Sequence, residues 1–499
     1  MRRPYRRHSR RSGMYNLANL VDVSADLGST RPAFVGPNLS MTYRELAEQI
    51  GVARAGLLDL GVGGGDRVAV SLTYAPDFAV AFYATLGIGA IAVPMNPALT
   101  AREAAHYLDD SGAKILVGRS EAERWVQDKP VTLVDIDQLR RSRDSAPKTS
   151  VSIDDTAVLL YTSGTTGVPK GAALTHANLL FNATELADTA IVGPTQTDVV
   201  AGVLPLFHTM GITVLNVTLK AGASWWPIEK FEARQVAELI DCGRVTMLTA
   251  VPTHLQMLMT SSDGLKFATP MKRLSTAGAG LPPAVRRWAE NTLGTPVIEG
   301  YGLTEASPAV AYGRADSLRP GSVGRPLPRV EVKVVDAMGA EVASDELGEI
   351  IVRGPNVMKG YWNNPTATDA AITDGWLATG DIGRVDADGY LYIVDRLKQV
   401  IIRGGFNVYP GEVEAVLREH PAVAEAAVVG VPDERVGEEI TAFVVGTGAP
   451  LSEEQLRDYA RANLASYKSP RRFVLTTDLP RTPTGKIART QLPALLTDE

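Results

Sequence analysis

Residues 161 to 171 read Tyr-Thr-Ser-Gly-Thr-Thr-Gly-Val-Pro-Lys-Gly. Thr162, Ser163, Thr165 and Thr166 supply hydroxyls, Gly164 and Gly167 let backbone N–H groups face a ligand with no Cβ in the way, and Lys170 adds a point charge. Donors at that density suit a polyphosphate. The plain alternative is a polar turn between a strand and a helix, but such turns rarely combine so many Gly and Thr with a Lys. An ordinary P-loop is excluded, because it ends in Gly-Lys-Ser/Thr and here Pro169 precedes Lys170 and Gly171 follows.

Four further clusters follow in order. Glu299 ends a strand-like run and leads into Gly300-Tyr301-Gly302-Leu303-Thr304-Glu305. A ring beside glycines suits stacking on a purine, and a carboxylate after Thr suits Mg²⁺ held near phosphates. Trp376-Leu377-Ala378-Thr379-Gly380-Asp381 places an acid on a tight turn, where it suits the vicinal hydroxyls of a ribose. Asp395-Arg396-Leu397-Lys398 lies where the texture of the sequence changes, and Pro483-Thr484-Gly485-Lys486 puts a lysine on a loop near the C-terminus. Each cluster alone is a weak signal; all five in this order between 161 and 486 are a strong one.

The elements that must position these residues read as an α/β chain. The apolar run Thr156–Leu160 before the phosphate loop is a buried strand. Thr42 and Glu45 form a capping box for a helix. Gly61–Asp66 precedes its strand, Arg67–Leu72, and so fails the context of a dinucleotide loop. Helix, strand and Gly/Pro turn then alternate: a helix near 76–87, a strand at Ala90–Pro94, a helix from 101 and a strand at Ala113–Val117. The rhythm resumes at Asp198–Leu204, Val245–Ala250, Arg273–Ala277 and Pro296–Glu299, as in a parallel sheet. From 321 to 395 short strands with Gly and Asp turns predict a β-rich subdomain. The last hundred residues predict a small α+β unit. In its first helix, from Pro410, Val413, Val416, Leu417 and His420 are expected to share one face, with strands at Ala426–Val431 and Ile440–Val445 and a second helix capped by Ser452 and Gln455.

The 499 residues exceed one hydrophobic core. With 45% hydrophobic and 21% charged residues the composition is that of a soluble globular protein, and a net charge of −6 argues against nucleic acid as a partner. The single cysteine, Cys242, excludes an intrachain disulfide, reads as a buried thiol and, with no signal peptide evident, predicts a cytoplasmic setting. No apolar run is long enough for a transmembrane helix. Residues 1–13 carry six arginines and no acid; without them the net charge falls from −6 to −12. They lack an apolar face, precede Met14, and read as a disordered leader.

In these motifs the chain, from Met14 onward, resembles the adenylate-forming superfamily: acyl-CoA synthetases, adenylation domains of peptide synthetases and luciferases. The likeness includes Met41–Leu46 and Gly89-Ala90-Ile91-Ala92-Val93-Pro94. It implies a large N-terminal domain, 14–395, of two α/β subdomains and a β-subdomain, and a small mobile C-terminal domain, 396–499, hinged near Lys398. It implies an enzyme that uses ATP, Mg²⁺ and CoA. A carboxylate attacks the α-phosphorus of ATP, pyrophosphate leaves, and a thiol then displaces AMP. By motif, Thr162 to Lys170 hold the β- and γ-phosphates; Thr304 and Glu305 contact the α-phosphate; Thr162 and Glu305 serve Mg²⁺; Glu299, Gly300 and Gly302 belong to the nucleotide site. Gly278-Ala279-Gly280 and Tyr301 line the adenine, Asp381 and Arg396 bind ribose, and Lys486 bridges carboxylate and α-phosphate. Gly404 and Gly405, inside Arg403-Gly404-Gly405-Phe406-Asn407, leave a passage for the pantetheine arm of CoA.

The acyl pocket is expected at Pro205–Gly211. Members that activate amino acids carry an Asp just after the Phe; this chain has His208, which disfavours an α-amino acid and stands either as a pocket gate or as a wall residue. Thr209, Met210 and Gly211 leave an apolar lining, which favours a medium- or long-chain fatty acid over a hydroxylated aromatic acid. The compact stretch from Tyr361-Trp362-Asn363 to Gly380-Asp381 favours CoA over a carrier protein as acceptor. An aryl-acid ligase and a non-catalytic nucleotide-binding regulator are the alternatives. A peripheral membrane contact and a homodimer are left open.

Overall fold

The computed structural model describes residues 16–22, 30–142, 144–162, 168–403, 406–433, 435–464, 466–481 and 487–496. The leader (1–13), Ser163, Gly164, Thr165, Thr166, Gly167, Gly404, Gly405 and Lys486 lie outside them, as does the side chain of Lys398.

Two largely parallel sheets form the first two layers. In the seven-stranded sheet the order is Gly360–Tyr361, Lys170–Thr175, Thr156–Thr162, Ile91–Pro94, Arg67–Ser71, Ile115–Gly118, Thr132–Val134. In the nine-stranded sheet Ser224–Pro227, Val199–Gly202, Met247–Ala250, Arg273–Ala277 and Val297–Gly302 run parallel as neighbours. Helices cover both. Tyr43–Asp59 starts at the capping box read from sequence: Thr42 Oγ1 accepts from Glu45 N and Glu45 returns a carboxylate to Thr42 N. Ala101–Ser111 carries a second such box, Thr100 with Glu103, and ends on Gly112 in the left-handed region. One core joins the two sheets around Phe34, Tyr43, Phe78, Phe82 and Trp225. Candidate residues fall where parallel strands end: Thr162 is the last residue of its strand, and His208, Gly278 and Thr304 follow a strand's carboxyl end, where open α/β sheets bind ligands.

The β-rich segment holds Glu331–Val335, Gly348–Arg353, Trp376–Val385 and Leu391–Arg396 in one antiparallel sheet. It is not continuous. Gly360–Tyr361 leaves to pair with Lys170–Thr175, and Pro365–Ala371 is a helix, begun by Asn364, whose side chain accepts from Ala367 N, and by Pro365 at its first position. This excursion delivers Tyr361 to the phosphate loop.

The last unit is a five-stranded sheet with the helices Pro410–Arg418 and Glu453–Asn463. Its strands, Val423–Asp433 and Gly437–Gly446, extend beyond the predicted runs. The first helix buries Val413 and Leu417 of the expected face, and Glu414, but not Val416 or His420. Glu414 is inside because Arg489 Nη2 reaches both its oxygens, at 2.6 and 2.8 Å, and Val428 N donates to it at 2.8 Å. Cys242 is exposed, contrary to expectation. It caps Ala233–Asp241, whose buried stripe is Ala233, Val236, Ala237 and Ile240, and two residues past Ile240 the side chain points away from that stripe. Among the described residues no helix is long and apolar enough to cross a membrane.

Burial raises the pKa of Glu414, and Arg489 pulls it back. Arg489→Met is expected to lower the unfolding free energy by about 3 kcal/mol at neutral pH, because a buried carboxylate loses its partner. The folded variant would bind a proton that the unfolded chain lacks, so the loss shrinks as pH falls. Urea denaturation at two pH values checks both.

Candidate nucleotide and acyl site

Thr156–Thr162 and Lys170–Thr175 are antiparallel neighbours, with Tyr161 opposite Gly171 and Thr162 opposite Lys170. The phosphate loop is therefore the connection of a hairpin. A strand follows it, not a helix, so the arrangement differs from the strand–loop–helix form of many phosphate sites. A Cβ on Gly171 would lie 3.2 Å from the Tyr161 ring, which explains that glycine by the close approach of the two strands.

The helix Ala101–Ser111 braces both stems of the hairpin. Tyr161 Oη donates to Asp110 Oδ2 at 2.6 Å and its ring stacks on Tyr107, centroids 4.3 Å apart. Burial and Asp110 push the Tyr161 pKa far up, so the phenol remains a donor. On the other stem His106 Nε2 lies 2.8 Å from the Pro169 carbonyl oxygen, which fixes Nε2 as the protonated nitrogen. Neither His106 nor Asp110 was singled out from sequence; they lie about fifty residues upstream in a helix with no motif of its own.

The second cluster meets the first at Glu305. Thr162 Oγ1 is 3.4 Å from Glu305 Oε1, and Tyr361 Oη donates to the same oxygen at 2.9 Å. Among the described residues Oε2 accepts no hydrogen bond. Lys170 Nζ lies 5.2 Å from the centre of the Tyr361 ring. Thr304 Oγ1 is 3.0 Å from Thr209 Oγ1, which ties the Gly302–Glu305 turn to the start of the Thr209–Ala221 helix. His208 precedes that helix, exposed, with its ring 4.6 Å from that of Phe207.

Asp381 forms the third centre. Its side chain is 5% exposed; Tyr301 Oη donates to Oδ2 at 2.6 Å and Arg396 Nε to Oδ1 at 2.9 Å. Asp381 and Arg396 face each other in register on neighbouring strands, so the sheet itself brings these two candidates together. Burial and the carboxylate push the Tyr301 pKa well up, which keeps it a neutral donor. Two of the four lone-pair sites of Asp381 are thus taken and the rest remain for a ligand's hydroxyls. Gly278, Ala279 and Gly280 are exposed, directly after Arg273–Ala277.

Other candidates serve the frame. A Cβ on Gly300 would fall 2.3 Å from Tyr312 Cζ, and one on Gly302 would fall 2.0 Å from the Pro308 carbonyl oxygen, so the protein's own packing requires both glycines. The Glu299 carboxylate is paired with Arg286, which also holds Glu290; burial raises its pKa against that pairing. Among the described residues no group of three His, Cys, Asp or Glu could hold a metal by itself. Mg²⁺ does not need one, since it keeps waters and phosphate oxygens and takes one or two carboxylates. Glu305, with one oxygen held and the other unengaged, beside the Thr162 hydroxyl, fits that demand.

The model of the AMP-binding enzymes matches residues 21–362, and that of the AMP-binding enzyme C-terminal domain matches 412–486. The chain belongs to the AMP-binding enzymes. This is the adenylate-forming superfamily that the motifs resemble, in its acid–CoA ligase branch. The chain is 35% identical to a long-chain-fatty-acid–CoA ligase of Bacillus subtilis (strain 168), over 87% of this chain and 86% of that one. It is 37% identical to a feruloyl-CoA synthase of an Amycolatopsis species, over 90% and 93%. In structure it resembles ATP-bound MatB from Rhodopseudomonas palustris with a TM-score of 0.90 at 32% identity, over 97% of this chain and 99% of that one.

Asp381→Asn keeps the shape of the third centre but removes its charge and one acceptor. It is expected to weaken ATP binding about tenfold or more. Isothermal titration with ATP checks this, with the unfolding midpoint as the control for structure.

Proposed function

We propose that the protein is an ATP-dependent acid–CoA ligase whose acid is a medium- or long-chain fatty acid. A carboxylate oxygen attacks the α-phosphorus, the bond to the bridging oxygen breaks, and pyrophosphate leaves. The CoA sulfur then attacks the acyl carbon, the C–O bond breaks, and AMP leaves. A carboxylate is a poor acyl donor because its oxygen leaves badly, and the adenylate supplies a good leaving group.

The observation that carries the nucleotide half is the convergence of Thr162, Lys170, Glu305 and Tyr361 around one carboxylate, together with the Asp381–Tyr301–Arg396 cluster. In this reading Lys170 and the loop before it hold pyrophosphate, and Asp381 and Arg396 hold the ribose. Gly278, Ala279, Gly280 and Tyr301 border the adenine, and Thr304 meets the α-phosphate. Mg²⁺ at Glu305 and Thr162 would draw charge from the phosphate oxygens as pyrophosphate departs. Lys486, on the small unit, neutralises the transition state of the first step, and its unit (396–499) turns about Lys398 to bring the Gly404-Gly405 passage to CoA for the second. Charge stabilisation and positioning then carry the catalysis, as in phosphoryl transfer generally.

The acyl half rests on a cavity of about 30 Å³ along one face of Thr209–Ala221, lined by Met210, Val214, Val217, Val200, Met247 and Pro308 among others. Met210 of its lining directly follows Thr209, whose hydroxyl meets that of Thr304, and there the carboxylate would sit. The lining carries no charged side chain, which suits an aliphatic chain, and Met210 and Met247 are flexible enough to make room as one enters. His208, exposed and just before the Thr209–Ala221 helix, would act as the gate. A cytoplasmic place suits soluble ATP and CoA as co-substrates.

Two outcomes are expected. Lys486→Ala abolishes ATP–pyrophosphate exchange and leaves CoA thiolysis of supplied acyl-AMP largely intact; equal loss of both would assign Lys486 a structural role. Met210→Trp, which fills the cavity, lowers kcat/KM for decanoate about tenfold or more relative to butyrate. Coupled assays over a panel of straight-chain and aryl acids measure this, and a wild-type preference for aryl acids would overturn the fatty-acid assignment.

A further inference from the structure

Lys170 and Glu305 carry opposite charges at one site, yet Lys170 has no ion-pair partner among the described residues. Tyr361 stands between them. Its ring lies under the Lys170 ammonium at 5.2 Å, and its hydroxyl donates to Glu305 Oε1 at 2.9 Å. Its backbone is fixed at several points. Tyr361 is paired with Ala172, its N–H donates to Thr368 Oγ1 at 2.9 Å, and Trp362 N donates to Gly171 O at 2.7 Å. One residue earlier, a Cβ on Gly360 would fall 2.8 Å from Thr368 Cγ2, so the strand enters against the helix that starts at Pro365. A second anchor ties the same segment to Glu305 itself: Met358 N donates to the Glu305 carbonyl oxygen at 2.8 Å.

We propose that Tyr361 is a positioning residue that keeps Lys170 and Glu305 from neutralising each other before substrate arrives. The inference rests on the nucleotide reading above. A neutral hydroxyl occupies Oε1 and directs the carboxylate, leaving Oε2 for a divalent cation. The ring face offers the ammonium a resting place that leaves its charge unspent for phosphate. Without Tyr361, Lys170 and Glu305 close into an ion pair, and the site loses its grip on metal and on pyrophosphate together. With the hydroxyl alone removed, the ring still holds Lys170 but the carboxylate keeps only the longer contact from Thr162.

The test is equilibrium binding of Mg-ATP and Mg-pyrophosphate to the full chain, by calorimetry over a range of Mg²⁺ concentrations, for wild type, Tyr361→Phe and Tyr361→Leu. Thiolysis of supplied acyl-AMP and the unfolding midpoint are measured alongside. Tyr361→Phe is expected to raise the Mg²⁺ concentration needed for half-maximal ATP binding about tenfold, the loss expected for one hydrogen bond to a charged group. Metal-free ATP binding should change little. Tyr361→Leu should in addition weaken pyrophosphate binding, with thiolysis unchanged in both. In a cycle with Glu305→Gln, the Phe substitution should lose its effect on the Mg²⁺ requirement, since the group it directs is gone. A wild-type Mg²⁺ requirement in Tyr361→Phe overturns the proposal, as does equal loss of ATP binding and thiolysis with a lowered midpoint, which is what a merely structural residue gives. Should Tyr361→Leu not fold, the Phe variant alone decides. Failure of wild type to bind ATP at all would instead defeat the nucleotide reading.

Discussion

On the proposed reading Glu305 binds a cation beside a lysine, an unstable arrangement, because two protein charges satisfy each other more readily than either waits for a ligand. Two segments far apart in sequence answer that constraint at the Glu305 carboxylate: Thr162 reaches it from the end of one strand and Tyr361 from an added strand of the same sheet. The excursion of Gly360–Tyr361 out of the β-rich segment makes sense as the way to deliver the tyrosine. The same logic governs Asp381, where Arg396 and Tyr301 hold the acid from opposite oxygens and leave it acceptor capacity for hydroxyls.

Strands do the positioning. Thr162 and the Thr304–Glu305 turn stand at the carboxyl ends of parallel strands, whereas Asp381 and Arg396 sit within an antiparallel ladder. The hairpin of Thr156–Thr162 and Lys170–Thr175 returns on an antiparallel strand, with no helix directly after its loop. The helix Ala101–Ser111 compensates mechanically, with His106 on one stem and Asp110 with Tyr107 on the other. The cavity along Thr209–Ala221, proposed above for the acyl chain, is lined by other residues than those around Glu305 and Asp381. On that proposal, changes at Met210 or Val214 would alter the choice of acid and leave the nucleotide residues as they are.

The sequence made the strand–helix alternation and the capping boxes legible, because each is set by local periodicity or by short spacing. It also made the order of the five motifs legible. It did not show that Gly300 and Gly302 answer to Tyr312 and Pro308, since those contacts depend on the antiparallel strand Ala309–Tyr312 folding back over them. Nor did it show that Glu414 is buried: periodicity counts a glutamate as a surface residue, and its partner Arg489 lies 75 residues away. Cys242 misled for the opposite reason, as a residue type that is usually buried falls on the solvent side of a helix end. Tyr361 was visible only as part of a compact stretch between motifs; its chemistry emerges when Lys170 and Glu305 are brought to either side of it.

In the proposed reaction a carboxylate oxygen attacks the α-phosphorus and later leaves with AMP. One turnover with a fatty acid carrying ¹⁸O in both carboxylate oxygens, read by mass spectrometry of the products, decides the matter. One labelled oxygen is expected in AMP, none in pyrophosphate, and one in the thioester carbonyl. Label in inorganic phosphate, or AMP without label, would contradict it.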